Sequence, residues 1–323
     1  MRIAVGLSGG VDSAVAALML KKQGWDVGAY TMYLGRDGED AAVRDTQELA
    51  LRLGIPLKVV DLSKQWQENV CGYVRTTMCR GETPNPCVRC NETVKMFLMP
   101  QIAFADGFDR FATGHYAKSD ADGRLFRARY KKKDQSYFLY RIPPELLSRI
   151  VFPLGDLDKS EVRKIALDNG FSFPEKSDSQ DFCGGDVKAI LGAEPKKGEI
   201  VTLSGKIIGE HQGYWNYTVG MRKGLGIGGG VPYYVAAIDA GRNRVVVGHR
   251  EEVLVKSFAL HSVVGSMQGE VMVKVRSAGE PKGPVNIEGD RVFSSEGMIG
   301  VSPGQSAVFF RGEEVVGGGI IAS

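Results

Sequence analysis

No apolar run in the 323-residue chain comes near the length a membrane-spanning helix needs, roughly 20 residues, so no membrane partner is expected. The opening MRIAVGLSGG has no charged n-region, long apolar core or small-residue cleavage site, so no secretory leader is read there and the expected compartment is the cytoplasm. Charge of one sign is not in excess. The 41 Lys and Arg against 38 Asp and Glu leave a formal +3, too little to mark a nucleic-acid binder by bulk charge, although a local basic patch fits within it. Cysteine is sparse and odd in number: five, at positions 71, 79, 87, 90 and 183. In a reducing compartment such a set reads as thiols, metal ligands or catalytic groups rather than a disulfide framework. Internal repeats and low-complexity tracts are missing, the nearest approach being GLGIGGG at 224–230. What is present, 43% hydrophobic and 24% charged residues, is an ordinary globular composition at a length that suits two or three domains.

The first half alternates in the manner of a parallel α/β fold. RIAVGL at 2–7 is a β-branched run, followed by a glycine-rich turn and an Ala/Leu-rich helical segment from Ser13 to Gln23. Val27–Leu34 reads as a second strand, Ala41–Leu53 as a helix stopped by Gly54, Leu57–Leu62 as a third strand and Asp109–Ala112 as the lead into a fourth. Asn91–Ala105 reads as a helix with Cys90 at or near its N-terminus, and QENVCGYVRTTMCRG as a helical segment in which Cys71 and Cys79 are ordinary thiols. After about residue 190 the character changes. EIVTLSGKIIGEH, VPYYVAAIDAGRNRVVVGHR and SPGQSAVFFRGEEVVGGGIIA are short β-rich runs separated by Gly, Asn and Asp turns, which suggest small antiparallel sheets or barrels. The boundaries are placed at 1–188, 189–250 and 251–323.

The most specific signal is the order strand, Ser8-Gly9-Gly10-Val11-Asp12-Ser13, helix. Glycines let backbone approach an anion closely, and a helix N-terminus supplies unpaired N–H groups and positive potential. The hydroxyls of Ser8 and Ser13 can donate to phosphate oxygens. Asp12 would repel a phosphate unless Mg²⁺ lies between them, so it points to metal-bound ATP. The G-x-x-x-x-G-K-[ST] lysine of a Walker loop is absent. A glycine turn that merely joins strand to helix is the structural alternative.

This loop resembles that of the pyrophosphate-loop (PP-loop) ATPases, which activate a carbonyl-type oxygen by adenylation. Four further stretches, TPNPCVRCN (83–91), ATGHYAK (112–118), KKKDQSYFLY (131–140) and KSDSQDFC (176–183), are similar to segments of the tRNA-specific 2-thiouridylases, as are YTVGMRKGLGIGG (217–229) and SPGQSAVFF (302–310). The resemblance runs in the same order over nearly the whole chain. It implies a PP-loop domain of the adenine nucleotide alpha hydrolase-like kind, then a small β-rich central domain and a C-terminal β-barrel that binds tRNA. It also implies adenylation of O2 of the wobble uridine in the tRNA anticodon arm, followed by replacement of that oxygen with sulfur to give 2-thiouridine, AMP and pyrophosphate. A carbonyl oxygen leaves poorly until adenylated, and the base must be taken out of its stack to be reached.

By this resemblance Gly6, Leu7, Ser8, Gly9, Gly10, Val11, Asp12 and Ser13 would hold the ATP phosphates, with Met32 beside the adenine and Gly114 bordering the nucleotide. Asn85, Pro86 and Cys87 would contact the target base, and His115, Lys133, Asp134, Gln135, Arg276 and Gln305 other parts of the tRNA. Lys131 and Lys132 extend a local basic cluster that suits phosphate contact. His115 as a satisfied core imidazole, and the lysines as a solvated loop, are the bland readings.

In the family pattern the elbow reads N-P-D-x-x-C-N, with its cysteine the nucleophile, and a second cysteine after S-Q-D-x carries sulfur as a persulfide. Cys90 matches the first and Cys183 the second, but Cys87 stands where the aspartate is expected. One reading keeps the Cys183 persulfide, delivered by a persulfide-carrying protein, with Cys90 resolving the disulfide. The favoured one has Cys87, Cys90 and Cys183 bind three irons of a [4Fe–4S] cluster, the fourth iron open to exogenous sulfide, since a soft thiolate in place of a carboxylate suits iron–sulfur ligation. A zinc hook lacks a second C-x-x-C or histidine pair, and a thioredoxin-type dithiol lacks its fold context. A small-molecule PP-loop ligase would not need the cysteines, and a tRNA-binding module would not need an intact S-G-G-x-D-S loop.

Overall fold

The computed structural model describes residues 1–173, 187–228 and 230–323. By its internal contacts the chain divides into two units. The first comprises Met1–Val70, Cys87–Gly184 and Glu313–Val315, and the second Cys71–Pro86, Gly185–Gly312 and Val316–Ser323.

The first unit is built on five parallel strands. β1 (Arg2–Gly6), β2 (Asp26–Tyr33), β3 (Leu57–Asp61), β4 (Arg110–Thr113) and Ile150–Val151 lie in the order β3-β2-β1-β4 with Ile150–Val151 at the edge. The chain moves outward from β1 through α1 (Val11–Lys22) to β2, and through α2 (Glu39–Leu53) to β3. It then returns to the other side of β1 as β4. That reversal leaves a crevice at the carboxyl ends of β1 and β4, where ligands of open α/β sheets bind. β1 is buried on both faces, with Ile3, Ala4 and Val5 at 0% exposure, which is why it reads as a continuous apolar run. The small residues of α1 pack into the same core: Ala14, Ala17 and Leu20 join Val162 and Ala166 of the helix Lys159–Asp168. α2 ends as its sequence signals, at Gly54 in the left-handed conformation (φ 62°).

The helix expected over Asn91–Ala105 is different in form. It starts at Pro86, proline being suited to a first helical position. It runs as α-helix to Cys90 and as a π-helical turn over Asn91–Lys95, breaks, and resumes at Leu98–Ala105. Cys90 has helical dihedrals (φ −63°, ψ −43°) and lies inside a helical run, while Cys87 occupies its first turn. The placement of Cys90 at a helix N-terminus is thereby corrected.

In the second unit, a four-stranded sheet takes the order Tyr234–Asp239, Arg244–Gly248, Gly198–Thr202, Ile207–His211, with Arg244–Gly248 parallel to Gly198–Thr202. The strands Val255–Gly265, Arg291–Met298, Lys282–Glu288, Val271–Lys274, Ser306–Arg311 and Glu314–Ile321 follow one another in space. The last returns to pair with the first, closing a barrel. Closure removes the open sheet edges. Val292, Ala307 and Phe309, all at 0% exposure, fill the interior.

Phe111 on β4 is 1% exposed, and the tip of its ring lies 3.5 Å from where a Cβ would stand on Gly6. Phe111→Ala should lower unfolding free energy by about 3–5 kcal/mol and Phe111→Leu by far less, because only the first leaves a large cavity under the end of β1. Urea midpoints of the two variants at constant slope check this.

Candidate active site

The site is built on the turn that leaves β1. Gly6 is in register with Tyr30 of β2 and Thr113 of β4, and Leu7 N–H donates to the Tyr30 carbonyl at 2.8 Å, so the turn begins from a fixed point. Gly9 has φ +75°, and a Cβ there would meet Thr46 Oγ1 at 3.0 Å. Ser13, 5% exposed, shapes the turn from inside: its Oγ accepts from Ser8 N–H at 3.1 Å and donates to the Gly10 carbonyl at 3.0 Å. Ser8 is exposed, and its Oγ shares a 3.3 Å hydrogen bond with Ser13 Oγ. Gly10 is the N-cap of α1 and brings no side-chain acceptor, so the first N–H groups of a 12-residue helix meet the turn unanswered by a cap. An anion is the natural partner of such an end. Across the crevice, a Cβ on Gly114 would lie 2.8 Å from the backbone carbon of Asp12 and the nitrogen of Ser13, so glycine is required where the chain leaves β4. Met32 is half-buried near the end of β2, in register with Val60.

Asp12, in the first turn of α1, is held from two sides. Tyr116 OH donates to Oδ1 at 2.9 Å, and Lys159 Nζ donates to both carboxylate oxygens at 2.8 Å. Neither partner was legible in the sequence. The D-x-x-E of Asp158 and Glu161 marks a helix start, and both halves of that capping box form, but nothing local to Lys159 names a partner 147 residues away.

The segment after β4 is organised by its own polar side chains. His115 is 7% exposed. Its Nδ1 shares a 2.8 Å hydrogen bond with Thr113 Oγ1, and its ring meets Phe152 edge to face at 6.3 Å. Gln135 clamps Tyr116 by accepting from its N–H at 2.9 Å and donating its own N–H to the Tyr116 carbonyl at 2.8 Å. Asp134 is buried and accepts from the N–H groups of Ala128 (3.0 Å) and Ser136 (3.3 Å) and from Ser136 Oγ (3.0 Å), with Arg127 at 3.6 Å. Lys131 is engaged with the Ala128 carbonyl and Glu313, Lys133 is half-buried, and Lys132 is exposed.

In the second unit the elbow before the cysteines is pinned by the SPGQS turn. Gln305 Nε2 donates to the carbonyls of Pro84 (2.7 Å) and Thr83 (3.3 Å). Thr83 N–H donates to the Pro303 carbonyl at 2.8 Å, and Ser302 Oγ to Thr83 Oγ1 at 3.0 Å. Tyr73 OH accepts from Asn85 N–H at 3.0 Å. Asn85 and Pro86 are buried. Arg276 is likewise occupied internally. Its guanidinium donates to the carbonyls of Val219 and, at 3.3 Å, Gly300, and a Cβ on Gly220 or Gly300 would stand 2.6 or 2.3 Å from it.

Cys90 is 5% exposed and Cys87 half-buried, three residues apart on the helix Pro86–Cys90 and so on one face of it. Cys183 lies outside the described residues. Among the described residues no three His, Cys, Asp or Glu side chains gather closely enough to hold a metal ion. Cys71 and Cys79 are free thiols, and burial pushes that of Cys71 up.

Burial, reinforced by the charge of Lys95, holds the His115 imidazole well below the usual value of 6.5. The fold therefore keeps the ring neutral, and below about pH 6.5 the unfolded chain takes up a proton that the folded one refuses. This group should then cost stability as pH falls, by up to about 1.4 kcal/mol per pH unit until its folded-state pKa is reached. In denaturant titrations between about pH 7 and pH 5, His115→Gln should show a shallower loss than the parent chain.

Residues 1–184 match the family described as tRNA methyl transferase HUP domain, 187–249 the tRNA methyl transferase PRC-barrel domain, and 250–321 the aminomethyltransferase beta-barrel domain. The tRNA-specific 2-thiouridylase MnmA of Nostoc punctiforme is 40% identical over 99% of this chain and 98% of that protein. Those of Pseudothermotoga lettingae and Endomicrobium trichonymphae are 40% and 38% identical, each over 99% of both chains. Matched over nearly its whole length by relatives of one kind, the chain belongs to the tRNA-specific 2-thiouridylases, a family of tRNA sulfurtransferases.

Proposed function

We propose that this 2-thiouridylase adenylates O2 of the wobble uridine with ATP and then exchanges the activated oxygen for sulfur. The observation that carries the reading is the turn 7–13, in which glycine backbone and the uncapped N-terminus of α1 face the crevice beside Gly114. In this reading the loop N–H groups and Ser8 hold the triphosphate, and Met32 lies beside the adenine. Asp12, a hard oxygen donor on the first turn of α1, suits the Mg²⁺ that ATP brings. The uridine O2 attacks the α-phosphorus, the bond from that phosphorus to the α,β-bridging oxygen breaks, and pyrophosphate leaves. A sulfur nucleophile adds at C2, and AMP departs with the former carbonyl oxygen. Asn85 and Pro86 would meet the target base and Lys132 and Lys133 the tRNA backbone. The inward hydrogen bonds of His115, Asp134, Gln135, Arg276 and Gln305 make them supports for the segments that carry such contacts.

For the sulfur, Cys87 and Cys90, soft donors on one helical face, would join Cys183 in holding a [4Fe–4S] cluster whose open iron supplies a site for sulfide. The correspondence of Cys90 and Cys183 with the two family cysteines favours a second route. There, a Cys183 persulfide gives its outer sulfur to C2, and Cys90 attacks the inner sulfur. The pair ends as a disulfide that an external thiol must reduce.

Anaerobically purified protein given ATP, Mg²⁺, unmodified tRNA and sulfide should yield 2-thiouridine on digestion of the tRNA. Cys87→Asp, Cys90→Ser and Cys183→Ser should each lower that yield at least on the order of 100-fold while single-turnover pyrophosphate release persists. A protein that stays iron-free and colourless after reconstitution, and works only with a persulfide donor, sinks the cluster in favour of the second route. No 2-thiouridine with either donor overturns the proposed reaction.

A further inference from the structure

The phosphate loop has no lysine of its own, yet the fold brings one to it. Lys159 Nζ lies 2.8 Å from both carboxylate oxygens of Asp12, and its side chain is 15% exposed against 34% for Asp12. Lys159 is the first residue of its helix, after the N-cap Asp158. A positive charge there opposes the helix dipole, so local helix energetics argue against a lysine at that position. The site is nonetheless rigidly built. The capping box of Asp158 and Glu161 fixes the helix start, with Glu161 N–H to Asp158 Oδ1 at 2.8 Å and Asp158 N–H to Glu161 Oε2 at 2.6 Å. Val162 and Ala166 lock the same helix into the core shared with α1.

A structural ion pair would account for the contact but not for its location. Asp12 already has the Tyr116 hydroxyl on Oδ1 at 2.9 Å, and a carboxylate one-third exposed gains little stability from a second partner. Two features that disfavour cations, or gain nothing from them, thus meet at one point: the N-terminal end of α1 and the N-terminal end of the helix Lys159–Asp168. A polyanion between them reverses the sign of both terms.

We propose that Lys159 is a catalytic residue of the adenylation step, contacting the β,γ-phosphates of ATP and neutralising the pyrophosphate as it leaves. It supplies from a distant helix the cation that a Walker loop carries within itself. As the α-phosphorus to bridging-oxygen bond breaks, the electron pair and negative charge go to the pyrophosphate, and the ammonium meets that charge without giving up a proton. Asp12 then serves two partners: it keeps Lys159 aimed at the loop and is released toward Mg²⁺ when the phosphates take over the lysine. This rests on the reading of the turn 7–13 as an ATP site.

The test compares nucleotides that differ only in the leaving group. Dissociation constants of the full chain for Mg-ATP and for AMP are measured by calorimetry for the parent, Lys159→Met and Lys159→Arg, with thermal melts of each. The expected result is that Lys159→Met weakens Mg-ATP roughly 10- to 100-fold and leaves AMP unchanged, that Lys159→Arg recovers most of the loss, and that single-turnover pyrophosphate release slows at saturating ATP. Equal loss for ATP and AMP, or no loss for either, overturns the proposal and leaves Lys159 a structural partner of Asp12. Should Lys159→Met prove unfolded in its melt, Lys159→Gln takes its place with the same expected loss for Mg-ATP alone, and equal loss or no loss for the two nucleotides again overturns the role. A parent chain that binds neither nucleotide is a different result, because it removes the ATP site itself.

Discussion

The parallel pairing of β1 with β4 is the constraint from which the first unit follows. Four residues in register, Ile3 with Arg110 through to Gly6 with Thr113, end two strands at the same height although the chain between them has visited β2 and β3. Whatever follows each strand must share one small space. Only backbone without a side chain fits there, so Gly114 lies against the peptide of Asp12 and Ser13. The turn after β1 is thus shaped as much by its neighbour across the crevice as by its own glycines. The hydrogen bonds of Ser13 then close it from within.

Much of this was legible because its causes are local. A strand buried on both faces reads as an apolar run, a helix that ends on a left-handed glycine announces it, and S-G-G-V-D-S marks the turn between strand and helix. The C-x-x-C pair was plain as residue types, though the secondary structure around it was not. Pro84-Asn85-Pro86 looked like an elbow preceding a helix, when the second proline is the first residue of that helix. The start therefore moved back by five residues from Asn91 to Pro86, and Cys90 moved from its end to its interior.

The rest was hidden because its causes are distant. Sequence pattern can mark Lys159 as following an N-cap but cannot say that its ammonium ends on α1. The residues matched to tRNA contacts illustrate the same limit from the other side. Gln305, Arg276, Asp134 and Gln135 carry polar groups suited to RNA, and the folded chain turns those groups onto its own carbonyls and N–H groups. A residue type that suits nucleic acid equally suits a loop in need of partners, and composition does not tell the two apart.

The prolines of the elbow carry one more implication. A segment with proline at 84 and 86 keeps one N–H between them, that of Asn85, which is given to Tyr73, so its buried carbonyl oxygens call for donors. Gln305 is such a donor, in the turn that leads into the barrel strand Ser306–Arg311. The barrel is thus an interchangeable module only within limits. A barrel grafted from another protein, or one with glutamate at 305, would set lone pairs against lone pairs at Pro84 and loosen the anchor from which the Cys87–Cys90 helix departs. Covariation between positions 84–86 and 305, rather than similarity of the barrels, would decide which exchanges among relatives succeed.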